Sequence, residues 1–398
     1  MSLFKPNELK LLWPFYLDGF FSPLLYFMPI FFVLYFQNFG FTMTQIGVLM
    51  AITPLFSLLF EIPTGAFADI YGRKASVLLS ALLSAIGFGA LFFFTNFYAI
   101  VVIFAFLGIA ATFSSGAKEA WVVDLLKRQP KGVFANYNAK TQIVTSSALI
   151  LSGIVGAFAV KIFGLAVIWP AAVLTFVVTL LLLSFANENR VHKEIHIAHT
   201  FRELLPQANK SLIYCWQKPT LFKILLASAI ILFALTFAAP ISWTPFLTGL
   251  GLPVHYFGYL WSLLCIAPLL AAIASHIFLK PNKERAFIIF SIILNMIIAL
   301  AVLITYNLTL AIIILFMQFF FIDFMQPATR VYFQSFIPSK LRATIGSVEG
   351  MLLSAQGIIS LPIAGLLVDV IGAKYTIAMS GVLLLPALIL YFSIKKKK

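Results

Sequence analysis

The residues of this sequence suited to chemistry are ionisable side chains set inside long apolar stretches. Asp18, Glu61, Lys118, Glu119, Lys140, Asp323, Arg330 and Glu349 all stand in runs dominated by Leu, Ile, Phe, Val and Ala, with Gln326 among them. A charge in such surroundings is costly, so it either pairs with an opposite charge or handles a proton or a substrate. Static pairing is one reading for Glu119 with Lys140 and for Arg330 with Glu349. Asp18 and Asp323 have no cation close by in sequence. A carboxylate in a partly desolvated cavity takes up protons more readily, which suits both to load and release one. Asp323, Gln326 and Arg330 recur at i, i+3 and i+7 and so share a helix face. Lys118 and Glu119 differ by about 100° around a helix axis, so only one of them can face a common cavity.

The elements that must position these groups are membrane helices. The chain has 398 residues, is 62% hydrophobic and only 10% charged, and has a mean hydropathy of +1.03. No soluble core of this length needs so much apolar surface. Twelve stretches of the ~20 residues that a helix needs to cross a bilayer follow one another. They cover 11–36, 44–67, 76–94, 98–126, 133–160, 165–186, 220–247, 254–279, 284–304, 308–335, 342–369 and 373–393. One long polar stretch, 187–219, separates the sixth from the seventh. The expected fold is therefore an all-α membrane protein of two six-helix halves, 1–186 and 220–398, joined by that linker.

Most of the 27 Lys and Arg fall in loops on one side if both termini are cytoplasmic, which sets the expected orientation in the cytoplasmic (inner) membrane. The net charge of +14 is thus spread over short loops, and nucleic acid is not an expected partner. Counted at ~1.5 Å per residue from each inner helix end, Asp18, Lys118, Lys140, Arg330 and Glu349 form one layer roughly 10 Å deep, with Asp323 deeper. Cys215 and Cys265 offer neither metal spacing nor a disulfide framework. His192, His196 and His199 recur at i, i+4 and i+7 in the linker; a metal site and a solvated amphipathic face are the two readings, and the second is preferred. No phosphate-binding loop of the G-x-x-x-x-G-K-S/T type is present, and no nucleophile with a base marks an enzyme.

Between the second and third stretches lies Glu61-Ile-Pro-Thr-Gly-Ala-Phe-Ala-Asp-Ile-Tyr-Gly-Arg-Lys74, which reads as a short polar turn. Its G-x-x-x-D-x-x-G-R-K pattern resembles the cytoplasmic signature loop of the major facilitator superfamily, and the twelve-helix context agrees. The two halves also repeat: Pro130 before Ala135, and Pro338 before Ala343, precede helices that turn Gly-rich (Gly153, Gly156; Gly357, Gly365). The loop equivalent to the signature in the second half, Lys280-Pro-Asn-Lys-Glu-Arg285, is only basic, so no good second copy is expected. Glu61-x-Pro-Thr-Gly65 followed by Glu119-Ala-x-x-x-Asp124 is similar to a bacterial drug-efflux-like branch. Two family features are missing: an Arg in Phe104–Gly108, and a Gly-Pro-rich run at Ser152–Gly156.

The resemblance implies that helices 1, 4, 7 and 10 line a central cavity. Phe20, Phe21, Tyr26, Phe233, Phe237 and Trp243 have two readings, apolar walls of that cavity or core packing, and core packing is preferred for any single one. It implies a gate built from Gly65, Asp69, Gly72, Arg73, Lys74 and Asp124. Arg73 would reach Asp124, and Asp69 the amides near Arg342–Thr344. The expected activity is proton-coupled secondary transport of a small organic solute by alternating access, with efflux of a drug- or metabolite-like compound ahead of its alternatives. Those are uptake of an anionic or zwitterionic metabolite, and lipid flipping on the same fold. A monomer without cofactors, working with protons and the bilayer, is expected.

Overall fold

The computed structural model describes residues 8–127, 132–188, 218–337 and 342–394, with the side chains of 342–349, 351 and 353 outside that description. The described residues are helical, and no strand occurs among them. Twelve helical segments are long and apolar enough to cross a membrane. They are Glu8–Asn38 (span 1), Met43–Tyr71 (span 2), Arg73–Ala90 (span 3), Phe97–Leu126 (span 4), Val133–Phe163 (span 5) and Leu165–Ser184 (span 6). The others are Pro219–Gly249 (span 7), Tyr256–Phe278 (span 8), Glu284–Ile304 (span 9), Leu308–Gln334 (span 10), Ser354–Ile371 (span 11) and Ala373–Ser393 (span 12). The span 11 helix itself runs from Arg342. Large apolar side chains such as Phe93, Phe163 and Val370 are at least 70% exposed, which suits lipid and not water.

Two boundaries differ from expectation in ways that matter. Span 1 starts a turn early, at Glu8, and brings a buried carboxylate with it. The stretch Glu61–Lys74 is not a turn: span 2 stays helical to Tyr71, Gly72 alone breaks the chain, and span 3 starts at Arg73. Gly72 takes φ 102°, open to glycine and strained for other residues, so one residue suffices to reverse direction. Several spans are interrupted. Span 1 breaks at Tyr26 and Phe27, and span 4 at Phe113–Gly116, where Gly116 has φ 68°. Ser76 Oγ donates to the freed Phe113 carbonyl at 2.6 Å, so the break leaves no bare acceptor there. Span 7 restarts at Pro240, whose missing N–H is harmless at a first helical turn.

The chain forms two compact units, built from the described parts of the following stretches. The first unit comprises Met1–Tyr35, Leu55–Thr200 and Val254–Ser262. Its core joins Leu12 and Phe15 of span 1 to Trp121 and Leu125 of span 4, Tyr137 of span 5 and Leu183 of span 6. Phe15 meets Trp121 edge-on with ring centroids 5.0 Å apart. The start of span 8 belongs to this unit through a close backbone crossing: a Cβ on Gly153 would lie 2.3 Å from the Gly258 carbonyl oxygen. Ser262 Oγ donates to Ile150 O at 2.6 Å in the same contact.

The second unit comprises Phe36–Pro54, Phe201–Pro253 and Leu263–Lys398. Leu221 and Ile224 of span 7, Ile288 of span 9, Phe324 of span 10 and Tyr391 of span 12 form its core. Here the start of span 2 is the inserted piece. A Cβ on Gly47 would meet the Leu361 carbonyl oxygen at 2.4 Å, and one on Gly365 the Met43 carbonyl oxygen at 2.1 Å. Backbones this close require glycine on one side of each contact.

Candidate functional site

Three groups of polar residues stand out, two in the first unit and one in the second. The first centres on Asp18, whose side chain is wholly buried in span 1. Lys118, at the restart of span 4 beyond Gly116, forms an ion pair with it. Ser22 Oγ donates to Asp18 Oδ1 at 2.6 Å and Thr179 Oγ1 of span 6 does so at 2.7 Å. The carboxylate is therefore fully held, while the lysine side chain keeps 39% of its surface open. Asp18 has no cation close by in sequence, and its partner lies a hundred positions away in the chain, where only helix packing brings it near.

The second group is Glu8, Lys140 and Tyr16. Lys140 Nζ donates to Glu8 Oε1 at 2.6 Å, and Tyr16 Oη donates to the same oxygen at 2.6 Å. This replaces the expected Glu119–Lys140 pair. Span 1 packs along span 5, so Glu8 faces Lys140, while Glu119 is exposed. Lys118 and Glu119 do diverge around their helix, with the lysine directed at span 1.

The third group lies on span 10. Gln326, Arg330 and Gln334, each four residues on from the last, line a cavity of about 750 Å³ together with Pro327, Val331 and Ser335. Arg330 is exposed and makes no hydrogen bond or ion pair among the described residues. Asp323 is half-buried and likewise has no partner among them. The side chain of Glu349, and so the expected Arg330–Glu349 pair, lies outside the described residues, as do His192, His196, His199 and Cys215. Of the aromatic wall candidates, Phe237 and Trp243 are core residues, 1% and 3% exposed, and Trp243 Nε1 donates to Gln318 Oε1 at 2.9 Å. Phe21 by contrast is exposed.

The signature loop is tied down by its own unit. Arg73 forms an ion pair with Asp124 at the end of span 4 and donates to the Ala120 carbonyl. Lys127 pairs with the same aspartate. Lys74 Nζ donates to Ser184 O and Ala186 O at 2.7 and 2.8 Å, capping the end of span 6, where the helix dipole favours a cation. Glu188 was not legible as part of this site. Its Oε1 accepts from the Lys74 amide at 2.9 Å, placing a carboxylate at the start of span 3. A Cβ on Gly72 would lie 2.8 Å from that oxygen, a second reason for glycine there. Glu61, Gly65 and Asp69 are exposed, and none of the described residues lies within 4 Å of where a Gly65 Cβ would sit. Asp69 has no hydrogen bond or ion pair among the described residues, and its expected contact near Arg342–Thr344 lies outside them.

In the second unit Arg285 does for span 12 what Lys74 does for span 6. Its Nε and Nη2 donate to Tyr391 O and Phe392 O at 2.8 and 2.7 Å. The basic loop therefore keeps the helix-capping half of the signature. The expectation of no good second copy also needs correction, because one stands in a different loop: Gly365-Leu-Leu-Val-Asp369-Val-Ile-Gly372-Ala-Lys374, between spans 11 and 12. Gly72 and Gly372 have nearly the same backbone, φ 102° and ψ 149° against φ 88° and ψ 157°. Asp369 accepts from the Met43 amide (2.9 Å), the Thr44 amide (2.8 Å) and Thr44 Oγ1 (2.6 Å).

Comparison with known proteins agrees with this architecture. The family model described as Major Facilitator Superfamily matches residues 16–355. An uncharacterized MFS-type transporter of Bacillus subtilis (strain 168), YxaM, is 24% identical over 392 residues, covering 96% of this chain and 93% of its own. Among solved structures, a mutant of the nucleoside transporter NupG superposes with a TM-score of 0.80 at 12% identity, covering 96% of this chain and 99% of that one. A D-xylose-proton symporter gives 0.69 at 11% identity, with 96% of each chain covered. At such identities the solved structures speak for the fold alone. With twelve membrane-crossing helices, the family model across most of its length and the signature loop in place, the chain is a multi-pass membrane protein of the Major Facilitator Superfamily.

Proposed function

We propose that this protein is a proton-coupled secondary transporter that moves a small organic anion or zwitterion by alternating access, with Asp18 and Lys118 as its coupling pair. The observation that carries this reading is the asymmetry of that pair: the carboxylate is sealed and fully hydrogen-bonded, while the lysine remains partly open. A buried ion pair that loses one charge leaves the other uncompensated, which is costly. Protonation of Asp18 would therefore free Lys118 to take an anionic group of the solute, and rebinding of Lys118 by the carboxylate would expel both proton and solute. Proton and solute are coupled because each takes one charge of the pair and so releases the other charge for its partner.

An anionic or zwitterionic solute is preferred to an apolar drug because of span 10. A guanidinium with no ion pair among the described residues, flanked by two carboxamides on a cavity wall, supplies the planar donors that carboxylates and phosphates accept. The expected orientation, with both termini in the cytoplasm of a cell bounded by this membrane, follows the basic loops.

The test is transport in proteoliposomes, with the solute found by a thermal-shift screen of organic anions on the purified protein. Asp18→Asn should abolish uptake driven by a pH gradient and leave solute counterflow largely intact. Asp323→Asn is compared in parallel. Wild-type gradient dependence in Asp18→Asn would remove Asp18 from coupling. An Arg330→Gln variant that binds the anion as wild type does would remove the anionic reading.

A further inference from the structure

We infer that Gly365–Lys374 is a second gate latch, at the membrane face opposite the signature loop, and that Asp369 closes it by clasping the start of span 2. The latch repeats the signature spacing of glycine, aspartate, glycine and lysine, and it turns at a single glycine of the same backbone conformation. Both turns also share their hydrogen bonds: the amide of Gly72 bonds Ala68 O at 3.1 Å, and that of Gly372 bonds Val368 O at 3.1 Å. A repeat in sequence is thus a repeat in structure.

The work of the latch is done at a helix start. The first amides of a helix have no partner within it, and the helix dipole places partial positive charge there. Asp369 supplies one oxygen to the Met43 amide and the other to both the amide and the hydroxyl of Thr44, so its charge and geometry fit that end of span 2. Gly365 lets the backbones touch one turn earlier, where a Cβ would lie 2.1 Å from Met43 O, and Gly47 does so against Leu361. Lys374 lies over the Tyr306 ring at 3.9 Å and steadies the far side of the turn.

Span 2 itself sets the two latches at opposite faces. Met43 and Thr44 begin it, Asp69 stands near its end, and the helix between them measures roughly 40 Å at 1.5 Å per residue. One rigid helix therefore carries the target of one latch and the aspartate of the other. Of the two aspartates, Asp369 is engaged, through both of its carboxylate oxygens. Asp369 is also exposed, so water can replace its three hydrogen bonds and the clasp can open. The inference is that span 2 must leave Asp369 before this face can open. It rests on the alternating-access reading, but its test needs no substrate.

The test is pulsed electron-spin distance measurement on the full chain in lipid nanodiscs, with Cys215→Ser and Cys265→Ser as background. Spin labels are attached at Phe39→Cys, just before span 2, and at Tyr375→Cys, just after the latch. Asp369→Ala should move the ratio of short to long distances roughly fivefold toward long, the factor that corresponds to losing a helix cap of ordinary strength. Asp69→Ala should leave the short distance dominant. A wild-type distribution in Asp369→Ala would overturn the latch. If that variant does not give monodisperse protein, Asp369→Asn is read by the same criterion. A lengthened distance in protein that moves no solute in any vesicle assay would uphold the latch and count against the transport reading alone.

Discussion

The two G-x-x-x-D-x-x-G-x-K turns, Gly65–Lys74 and Gly365–Lys374, share spacing and backbone but not employment. In the first, everything after Gly72 is bound: Arg73 to Asp124, Lys74 to the end of span 6, and the span 3 amide to Glu188. Before it, Gly65 and Asp69 are exposed and make no such contact among the described residues. In the second the emphasis is reversed. Gly365 and Asp369 are engaged with span 2, and after Gly372 Lys374 lies over the exposed Tyr306 ring. The lesson is that the motif has two separable parts. The glycine and basic end of the first turn fastens it to helices of its own unit, and the G-x-x-x-D end of the second is a docking edge for a helix start.

The largest expected difference is at the docking glycines. Gly365→Ala sets a methyl against the Met43 backbone, which cannot yield as a flexible side chain would, and should cost ~1–3 kcal/mol as an overpacked contact. Gly65→Ala meets nothing and exchanges glycine for the best helix former, so it should be neutral or stabilising by up to ~1 kcal/mol. Thermal unfolding of the two purified variants side by side measures this. Equal losses would mean that both edges are docked.

A smaller effect is expected at the fastening end. A double-mutant cycle with Arg73→Gln and Asp124→Asn should give a coupling of about 1 kcal/mol, since both groups are partly shielded and Lys127 shares the aspartate. Chemical denaturation of the two single variants and the double variant gives the value, and strict additivity would show that Arg73 is not fastened. The smallest difference concerns the lysines. Lys74→Met removes the cap from two helix-end carbonyls and should cost ~0.5–1 kcal/mol. Lys374→Met loses only a contact to a ring that is 81% exposed and should cost less than ~0.5 kcal/mol. A reversed order in thermal unfolding would place the fastening role on the second turn.

Sequence alone determined the number of spans, their approximate ends and the superfamily. Those follow from local facts: the length of apolar runs, where polar residues force the chain to surface, and one glycine-bounded motif. It also picked out Asp18, Lys118, Lys140, Arg330 and Asp323 as charges needing an explanation, because the cost of burial belongs to each residue by itself. The second latch was legible too, as a spacing, but it stands between spans 11 and 12 and not in the loop where repeat symmetry directed attention. What only the tertiary structure decided is pairing. Asp18 found Lys118 and not a proton alone, Lys140 found Glu8 and not Glu119, and Glu188 and Asp369 found helix amides. The reason is physical. A buried charge fixes that a partner must exist, but which partner depends on helix rotation and on which helices touch, and those are set by glycine crossings and packed aromatic rings distributed over the whole chain.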